Sequence, residues 1–374
     1  MTWQVLWAVP AAMAGCYYAL ALLAAMWSRP LACSPRLPHT SPPVSILKPV
    51  LGCDDRLTQA IASHAALDYP DFELLLGVRP NDAAALEEIH RAQQKFPACA
   101  IRIVPATTVM PNGKAGALFD LAAAAQHPIL VINDADICVE PDYLHAVTQP
   151  LANPAIGLVT ALYRATASSF PARFEALGVA TEFAPSVLVA RLLGVAEFAL
   201  GSTMAVRAED LRRIGGFRAI GDYLADDYQL GAHITRLGLH VEFADTVVET
   251  TLGAGSWADV WKHQVRWSRT IRVSRPAGYY GYVVTQATFW AGVAAAGGYW
   301  KFAVAVLALR VAAGGLTAGA VLKDRAAAAR SLVIPLRDLF GFAVWLAAAF
   351  GRTVEWRGMR LRLTRDGRIH AVGS

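Results

Sequence analysis

The first 28 residues constrain this chain most, because no charged side chain precedes Arg29. Residues 2–28 are apolar almost throughout, with tryptophans toward both ends, and a helix needs about 20 such residues to cross the hydrocarbon core of a bilayer. A cleaved signal peptide is the rival interpretation. It requires a basic start and a shorter apolar stretch, whereas Met1-Thr2-Trp3-Gln4 has no base. The sequence therefore predicts an uncleaved transmembrane anchor over residues 1–28.

The segment after the anchor predicts a linker and an orientation. Residues 29–43 are rich in proline and serine, which is typical of a linker. Arg29 and Arg36 follow the apolar stretch, and basic residues next to a span tend to stay in the cytoplasm. We therefore expect an integral membrane protein whose globular region, residues 44–275, lies on the cytoplasmic face.

Apolar segments return near the C-terminus and predict a second membrane region over residues 276–374. Residues 283–300 and 302–322 are candidate spans, and Lys301 between them suggests a tight hairpin. Residues 332–350 are also apolar, but two adjacent charges interrupt them.

Those charges are Arg337 and Asp338, and Arg310 lies inside the preceding candidate span. A charge at membrane depth is energetically costly. Placing the arginine-rich tail on the cytoplasmic side also favours an even number of C-terminal crossings. We therefore expect residues 332–350 to be interfacial or re-entrant.

Composition excludes several classes of protein. The chain has 374 residues, 55% of them hydrophobic and 17% charged, which rules out a disordered chain and is unusual for a soluble enzyme. The five cysteines are scattered and include no CxxC pair, so a disulfide framework or a thiolate zinc site is disfavoured. The net charge of +5 is compatible with nucleic acid, anionic lipid or a phosphorylated ligand, and the motifs decide between them.

The middle region alternates between strand and helix patterns. Short apolar strands are predicted at residues 44–49, 72–78, 101–105 and 128–133, with helices between them at 57–66, 83–96 and 114–126. This order predicts an α/β fold with a doubly wound, mostly parallel sheet. Ligands bind such sheets beyond the carboxyl ends of the strands, where Lys48, Asp82 and Asp134-Ala135-Asp136 follow strands.

Carboxylate pairs are the strongest candidates for chemistry. Asp134 and Asp136 come one residue apart after a buried strand, and such a pair can share a hard divalent cation. Turns are also rich in aspartate, so the motif alone is weak. Asp226 and Asp227 precede a predicted helix, where they could cap it or supply a base that removes a proton from a hydroxyl.

Two basic motifs complete the set. Gly113-Lys114 opens a helix and suits an anion, although the spacing is not that of a Walker A loop. His263-Gln264-Val265-Arg266-Trp267, the HQVRW segment, either forms one face of an amphipathic helix or places Arg266 where it stabilises a leaving diphosphate. No GxGxxG motif opens the first helix, so a nicotinamide site has little support.

Taken together, these motifs resemble the ceramide glucosyltransferase family of membrane-bound, family 2-type glycosyltransferases with a GT-A fold. The resemblance covers residues 44–280 and extends weakly to the tail. The motifs that carry it are Ser45-Ile46-Leu47-Lys48-Pro49 with Gly52, Leu67-Asp68-Tyr69-Pro70, Asn112-Gly113-Lys114, Asp134-Ala135-Asp136, Leu224-Ala225-Asp226-Asp227-Tyr228, the HQVRW segment and Val354-Glu355-Trp356-Arg357-Gly358.

The resemblance implies a role for each site residue. Asp82 would contact the uracil of a nucleotide sugar that Lys114 and His263 also bind. Asp134 and Asp136 would hold Mg²⁺ or Mn²⁺ against the diphosphate, with Asp136 as the main ligand. Asp227 would be the catalytic base, and Arg266 and Trp267 would complete the catalytic set. His263 departs from the family pattern, in which glutamine or arginine is usual at that position.

The implied reaction is the inverting transfer of glucose from UDP-glucose to the primary hydroxyl of ceramide or a similar membrane lipid. Residues 183–200 would lie at the membrane interface beside the acceptor entrance or form a buried helix. The bilayer is a partner and nucleic acid is not. Three alternatives stay open: N-acetylglucosamine transfer to a hopanoid polyol, a processive polysaccharide synthase, and an inactive scaffold that only binds nucleotide sugar.

Overall fold

The computed structural model describes residues 7–28, 41–52, 56–195, 197–253, 255–356 and 358–371. Most of the predicted linker, including Arg29 and Arg36, lies outside these residues, as does Arg357 of the last motif.

Helices and strands alternate through the first half of the globular region, as the sequence predicts. The N-terminal helix is α1 (Val9–Trp27). The elements that follow it, up to the fourth strand, are β1 (Val44–Pro49), α2 (Leu57–Ala65), β2 (Phe72–Val78), α3 (Ala83–Lys95), β3 (Ile101–Pro105), α4 (Gly113–Ala124) and β4 (Ile129–Ile132). The predicted strands and helices of this half all form, with boundaries shifted by two residues at most.

The second half adds longer strands and the helices that carry the remaining motifs. These elements are α5 (Tyr143–Thr148), β5 (Ile156–Ala167), α6 (Phe170–Gly178), α7 (Ala184–Leu192), β6 (Met204–Arg207), α8 (Ala208–Arg213), α9 (Asp226–Arg236), β7 (His240–Leu252) and α10 (Trp257–Ser274). A π-helical turn, Val179–Phe183, joins α6 to α7.

Within the described residues, seven strands form one sheet in the order β3-β2-β1-β4-β6-β5-β7. Strands β1 to β4 pair in parallel, and so do β5 and β7, whereas β6 runs antiparallel to both of its neighbours. Apolar clusters cover both faces of the sheet, which explains why its strands are continuous apolar runs. The predicted α/β fold with a mostly parallel sheet is confirmed.

The C-terminal region contains apolar helices and a small sheet. Its elements are α11 (Pro276–Gly281), α12 (Ala287–Ala296), α13 (Trp300–Leu316), α14 (Arg325–Ala329), α15 (Ile334–Ala348), β8 (Thr353–Trp356), β9 (Met359–Leu363) and β10 (Ile369–Ala371). A π-helical turn extends α13 to Val321, and a 3₁₀ turn beginning at Ser331 precedes α15.

Among the described residues, three helices are long and apolar enough to cross a membrane: Val9–Trp27, Trp300–Val321 and Ser331–Ala348. They lie at both ends of the chain, which agrees with a membrane protein. The region of the predicted span 283–300 contains α12, which has 10 residues and is shorter than the length a spanning helix needs. Helix α1 packs through a face of alanines against α12 and α13, the close approach that small residues allow between membrane helices.

The charges that interrupt the C-terminal apolar segments are compensated inside the protein. Arg310 is fully buried and forms a bidentate ion pair with Asp338. The distances are 2.6 Å from Nη2 to Oδ1 and 3.0 Å from Nε to Oδ2. Arg337 forms an ion pair with Glu182, 3.0 Å from Nη1 to Oε2. These partners inside the protein remove one of the two grounds against a crossing at residues 332–350. The arginine-rich tail is the other ground, and the interfacial or re-entrant placement stays a prediction.

Helix α7 belongs to the protein interior. Its side chains Ala184, Val187 and Leu188 are buried in an apolar cluster that also includes Ala24 and Ala25 of α1. The structure thus buries the helical part of residues 183–200 between the sheet domain and the N-terminal membrane helix, which is the second of the two expectations for this segment.

Candidate active site

The DAD turn, residues 134–136, follows β4 at the carboxyl edge of the sheet, and Lys48 binds backbone carbonyl groups in and next to it. Lys48 lies at the end of β1, is fully buried, and donates from Nζ to the carbonyl oxygens of Asp134 at 2.9 Å and Ile137 at 3.2 Å. Burial lowers the pKa of Lys48 to about 8, although the nearby Asp136 carboxylate opposes this effect. The short strand and its terminal lysine therefore fix the backbone of the turn.

Strand β7 fixes the second carboxylate of the turn. Oδ2 of Asp136 accepts hydrogen bonds from the Thr250 hydroxyl and from the backbone N–H of Thr251 at 3.1 Å. In the described part of the chain, hydrogen bonds to the Asp136 side chain use only this oxygen. The carboxylate is therefore oriented by the protein while Oδ1 remains available to a ligand.

Lys114 brings together carboxylates from distant parts of the chain. Asn112 caps α4 by accepting from the backbone N–H of Lys114, and the lysine then points its Nζ to within 2.6 Å of Asp134 Oδ1 and 3.5 Å of Asp226 Oδ2. Burial alone would lower the pKa of Lys114, but the carboxylates of Asp134, Asp226 and Asp227 outweigh it and raise that pKa. The ammonium is therefore a permanent positive charge in the site.

Asp227 is the second residue of α9, and two backbone groups hold its carboxylate. Oδ2 accepts from the N–H of Gly201 at 3.0 Å, and Oδ1 accepts from the N–H of Tyr228 at 2.8 Å. Burial and the neighbouring Asp226 carboxylate raise the pKa of Asp227 to about 6, against the opposing effect of Lys114. A carboxylate with such a pKa is ionised at neutral pH and is also basic enough to accept a proton.

The HQVRW segment lies on α10 and is anchored by a buried glutamate. Oε1 of Glu175, on α6, accepts from Nδ1 of His263 at 2.5 Å and from Nε2 of Gln264 at 2.7 Å. The rings of His263 and Trp267 lie 4.6 Å apart. Arg266 shares this helix, and its carbonyl oxygen accepts from the Thr270 hydroxyl.

Tyr163 on β5 connects the two halves of the site. Burial, together with the negative charges of Asp227, Asp134 and Glu175, raises the pKa of Tyr163. Its ring also lies 5.4 Å from that of Phe183, which in turn lies 6.4 Å from Trp267. Tyr163 is therefore close enough to be affected by the charges of the carboxylate cluster and by that of Glu175, which anchors the HQVRW segment.

Asp82 has a different environment from the other predicted residues. It caps α3, where Oδ1 accepts from the N–H of Ala85 at 3.2 Å, and Oδ2 accepts from the N–H of Gly52 at 2.9 Å. In the described residues these bonds do not connect it to the Lys114 cluster. Asp82 thus ties the loop after β1 to the loop after β2, and its predicted contact with uracil remains a prediction.

A cavity of about 270 Å³ opens at the same edge, next to that loop. Its walls come from the segments after β1, β2 and β3 and from the start of α4: Leu51, Arg79, Pro80, Asn81, Ala106, Thr107, Thr108, Val109, Met110, Gly113 and Ala117. The lining combines apolar side chains with one guanidinium and polar backbone, which suits a flat heteroaromatic group.

Sequence reasoning named Asp226 but not its ion pair with Lys114, and it missed two other residues that the structure places in the site. Glu175 anchors the HQVRW segment, and Gly201 lies so close to Asp227 that a Cβ there would be 3.2 Å from Oδ2. Glu175 and Gly201 carry no local signal, because their importance comes from segments that meet only in the folded chain.

The chain is similar to known glycosyltransferases. The family model described as Glycosyl transferase family 21 matches residues 6–369. Ceramide glucosyltransferase 1 of Caenorhabditis elegans is 30% identical over 202 residues, which are 53% of this chain and 43% of that relative. Ceramide glucosyltransferase 3 of the same organism is 27% identical over 200 residues, with the same coverage of both chains. The matched region thus spans less than half the length of these relatives.

Among solved structures, the mannosyltransferase PcManGT from Pyrobaculum calidifontis, in complex with GDP-Man and Mn²⁺, superposes with a TM-score of 0.55. The match covers 92% of this chain and 99% of that one at 20% sequence identity. This likeness concerns the fold, including the arrangement of a mostly parallel sheet with accompanying helices.

Proposed function

The chain belongs to glycosyl transferase family 21, and from this premise we propose that it transfers glucose from UDP-glucose to the primary hydroxyl of ceramide, with inversion at the anomeric carbon. One observation carries the proposal. Lys114 gathers Asp134, Asp226 and Asp227 into one charged cluster at the carboxyl edge of the sheet. The names of the two curated relatives support ceramide and glucose as the substrates.

The donor would bind along this edge. The cavity beside Arg79 would take the nucleobase, with Asp82 holding the loop that borders it. The diphosphate would then lie toward the DAD turn and Lys114, whose ammonium attracts the phosphate oxygens.

The DAD turn has the donor set that a divalent metal needs. Asp136 and Asp134 are both partly exposed and offer carboxylate oxygens, the ligands preferred by Mg²⁺ and Mn²⁺. No cluster of three or more potential ligand side chains occurs in the described residues. Mg²⁺ is often bound through one or two carboxylates, with water and substrate phosphates as the other ligands. When bound, the metal supplies positive charge against the leaving diphosphate.

Asp227 would act as the general base. The lipid hydroxyl oxygen attacks the anomeric carbon on the face opposite UDP, its proton passes to Asp227, and the bond from the anomeric carbon to the diphosphate oxygen breaks. The raised pKa of Asp227 fits this role, since the group is ionised at neutral pH and remains a useful proton acceptor. Arg266 would stabilise the departing negative charge, and Trp267 would pack against the sugar or acceptor.

The acceptor explains why the site adjoins a membrane. Withdrawing a two-tailed lipid costs about 0.8 kcal/mol per CH₂ exposed to water, so the reaction must take place at the bilayer surface. Phe170 and Trp257, at the first turns of α6 and α10, are 70% and 46% exposed, and their rings lie 5.9 Å apart. The Trp257 ring lies 6.3 Å from that of Phe340 on α15. This aromatic face is typical of a membrane interface, and we place the acceptor entrance beside it, on the cytoplasmic side.

The test is lipid extraction and mass analysis after incubating the purified protein in nanodiscs with ceramide and radiolabelled donor. UDP-glucose and UDP-N-acetylglucosamine are compared, with hopanoid polyol nanodiscs in parallel. We expect label in glucosylceramide. Label in a hopanoid or in a polymer would replace the proposal by one of the alternatives, and no transfer with any pairing would contradict a glycosyltransferase activity.

A further inference from the structure

A chain of hydrogen bonds links the C-terminal membrane helix α15 to the HQVRW segment. Arg337 is 2% exposed, and its Nη2 donates to Oε1 of Gln264 at 2.9 Å. Gln264 in turn donates from Nε2 to Glu175 at 2.7 Å, and the same glutamate oxygen accepts from Nδ1 of His263. One side chain of α15 is therefore connected to the His263 imidazole through two intermediate side chains, Gln264 and Glu175.

The guanidinium of Arg337 fits into space left by two glycines, Gly178 and Gly341. A Cβ at Gly178 would fall closer to Nε and Nη2 of Arg337 than nonbonded atoms allow, and one at Gly341 would lie 3.0 Å from Nη1. Two glycines thus leave the space that the guanidinium occupies. Glu182 fixes the other side of the group through its ion pair with Nη1.

Arg337 makes few of the hydrogen bonds that a guanidinium can make. In the described part of the chain its buried Nε has no hydrogen-bond partner, and Nη1 faces Glu182 in an ion pair without the geometry of a hydrogen bond. The bond from Nη2 to Gln264 is therefore the side-chain hydrogen bond that holds this guanidinium in the described structure.

A second attachment holds the far end of the same helix. Arg272 donates to the carbonyl oxygens of Ala349 and Gly351 just after α15, and Arg269 donates from Nη1 to the Thr353 oxygen at 2.6 Å. Helix α10 is therefore attached to the first turn of α15 through Gln264, and to the residues that follow α15 through Arg269 and Arg272.

We propose that Arg337 is a positioning residue, which acts through Gln264 and Glu175 to hold the HQVRW segment in register with the carboxylate cluster. The membrane helix α15 is on this account part of the active-site scaffold as well as an anchor. The carboxylate of Glu175 requires Nδ1 of His263 to carry a proton, so Arg337 indirectly fixes both the orientation and the tautomer of the ring. The kinetic consequence rests on the proposed transfer reaction, whereas the structural coupling does not.

Arg310 offers a matched control. It is also a buried arginine of a membrane helix with a carboxylate partner, but its guanidinium binds Asp338 and the Thr181 carbonyl and makes no described hydrogen bond to α10. Exchanging either arginine for lysine keeps the positive charge and removes the planar fork of donors. The two substitutions therefore differ chiefly in whether the link to Gln264 is lost.

The first measurement is hydrogen–deuterium exchange of the full-length protein in nanodiscs, which needs no turnover. Relative to wild type, Arg337→Lys should speed exchange about tenfold or more in peptides covering residues 257–274, and Arg310→Lys should leave those peptides unchanged. Gly178→Ala, which displaces the guanidinium without altering any charge, should reproduce the effect of Arg337→Lys. Equal exchange in wild type, Arg337→Lys and Gly178→Ala would overturn the inference, whatever sugar the protein transfers.

The second measurement is a double-mutant cycle on glucose transfer. Because misplacing a catalytic group by about 1 Å can cost about 100-fold, Arg337→Lys and Gln264→Leu should each lower kcat by about 10- to 100-fold with little change in the KM for UDP-glucose. The double variant should be no worse than the more impaired single variant, since both break the same link. Effects that multiply, or a normal kcat for Arg337→Lys, would contradict the proposal. If wild type transfers no glucose, the proposed function fails and the exchange experiment alone decides this inference.

Discussion

Lys114 Nζ lies 3.5 Å from Oδ2 of Asp226, although the two residues belong to helices on opposite sides of the DAD turn in the sequence. The same ammonium is 2.6 Å from Asp134. One buried cation thus holds the carboxylates of two motifs together and limits the repulsion between them. Without it, closely spaced carboxylates would resist ionisation together, and Asp227, the proposed base, could not stay charged beside Asp134 of the DAD turn.

Replacing the proposed base should abolish most turnover. Asp227→Asn removes the proton acceptor, so kcat should fall by about 10²- to 10⁴-fold, while the KM for UDP-glucose changes little. Radiolabelled transfer to ceramide in nanodiscs measures both. Asp222→Asn, an exposed aspartate in the same loop, is the matched control and should behave as wild type. Near-normal turnover of Asp227→Asn would exclude this residue as the base.

The pH dependence should report the ionisation of Asp227. Its pKa is raised to about 6, and only the ionised form can accept a proton, so kcat/KM should rise between about pH 5 and pH 7 and level off above. Transfer rates at fixed ionic strength across this range give the apparent pKa.

Histidine side chains titrate in the same range, so the assignment needs a control. His263→Gln removes the nearby imidazole and should keep the limb near pH 6 if Asp227 is its source. A limb that disappears in His263→Gln would assign the titration to the histidine instead.

Gly201 should tolerate no side chain. An added Cβ would lie 3.2 Å from Asp227 Oδ2 and 3.5 Å from Lys114 Nζ, where the two groups need access to substrate. Gly201→Ala should therefore lower kcat/KM by about tenfold or more without lowering the melting temperature much. Gly292→Ala has open space around its new methyl group and serves as the control. Equal activity in both variants would show that this part of the cluster does not face substrate.

The metal proposal predicts a role for Thr250, which donates to Asp136. Residues that orient metal ligands typically contribute about 10- to 100-fold in affinity or activity, so Thr250→Val should raise the Mn²⁺ concentration for half-maximal transfer by about that factor. Chelation by EDTA should stop transfer, and added Mn²⁺ or Mg²⁺ should restore it. Thr235→Val, on α9 and away from the turn, should keep the wild-type metal response. Full activity in EDTA would contradict metal dependence.

The buried pair in the membrane region should contribute to stability only as a pair. Arg310→Leu leaves the Asp338 carboxylate uncompensated and should cost about 3–5 kcal/mol, seen as a lower melting temperature in detergent. The double variant Arg310→Leu with Asp338→Leu should recover most of that loss, because it leaves no unpaired charge. A double variant as unstable as the single one would show that the pair itself stabilises the fold.

The local order of elements could be predicted from the sequence. Continuous apolar runs such as residues 72–78 can be satisfied only in a sheet buried on both faces, and the residues at their carboxyl ends then mark the edge where ligands bind. Lys48, Asp82 and the DAD turn are predicted at that edge without any coordinates. Local patterns added Lys114, Asp227 and the HQVRW segment as candidates, and the resemblance to a family gave each of them a role.

The charges in the C-terminal apolar segments show where local reasoning stops. Arg310, Arg337 and Asp338 look unfavourable for a membrane segment when each is read alone, but their partners come from other helices and from the π-helical turn after α6. Whether a charge opposes membrane burial depends on its partner, and a single sequence does not contain that pairing.

The sequence by itself determined the α/β order, the apolar helices at both ends and the identity of the charged motifs, because each follows from residues that are neighbours in the chain. Only the tertiary structure decided that Lys114 pairs with Asp134 and Asp226, that Glu175 and Arg337 bond to the HQVRW segment, and that Asp82 ties two loops together. The physical reason is that distances between charges, which set their pKa values and their chemistry, depend on how segments far apart in the sequence pack against one another.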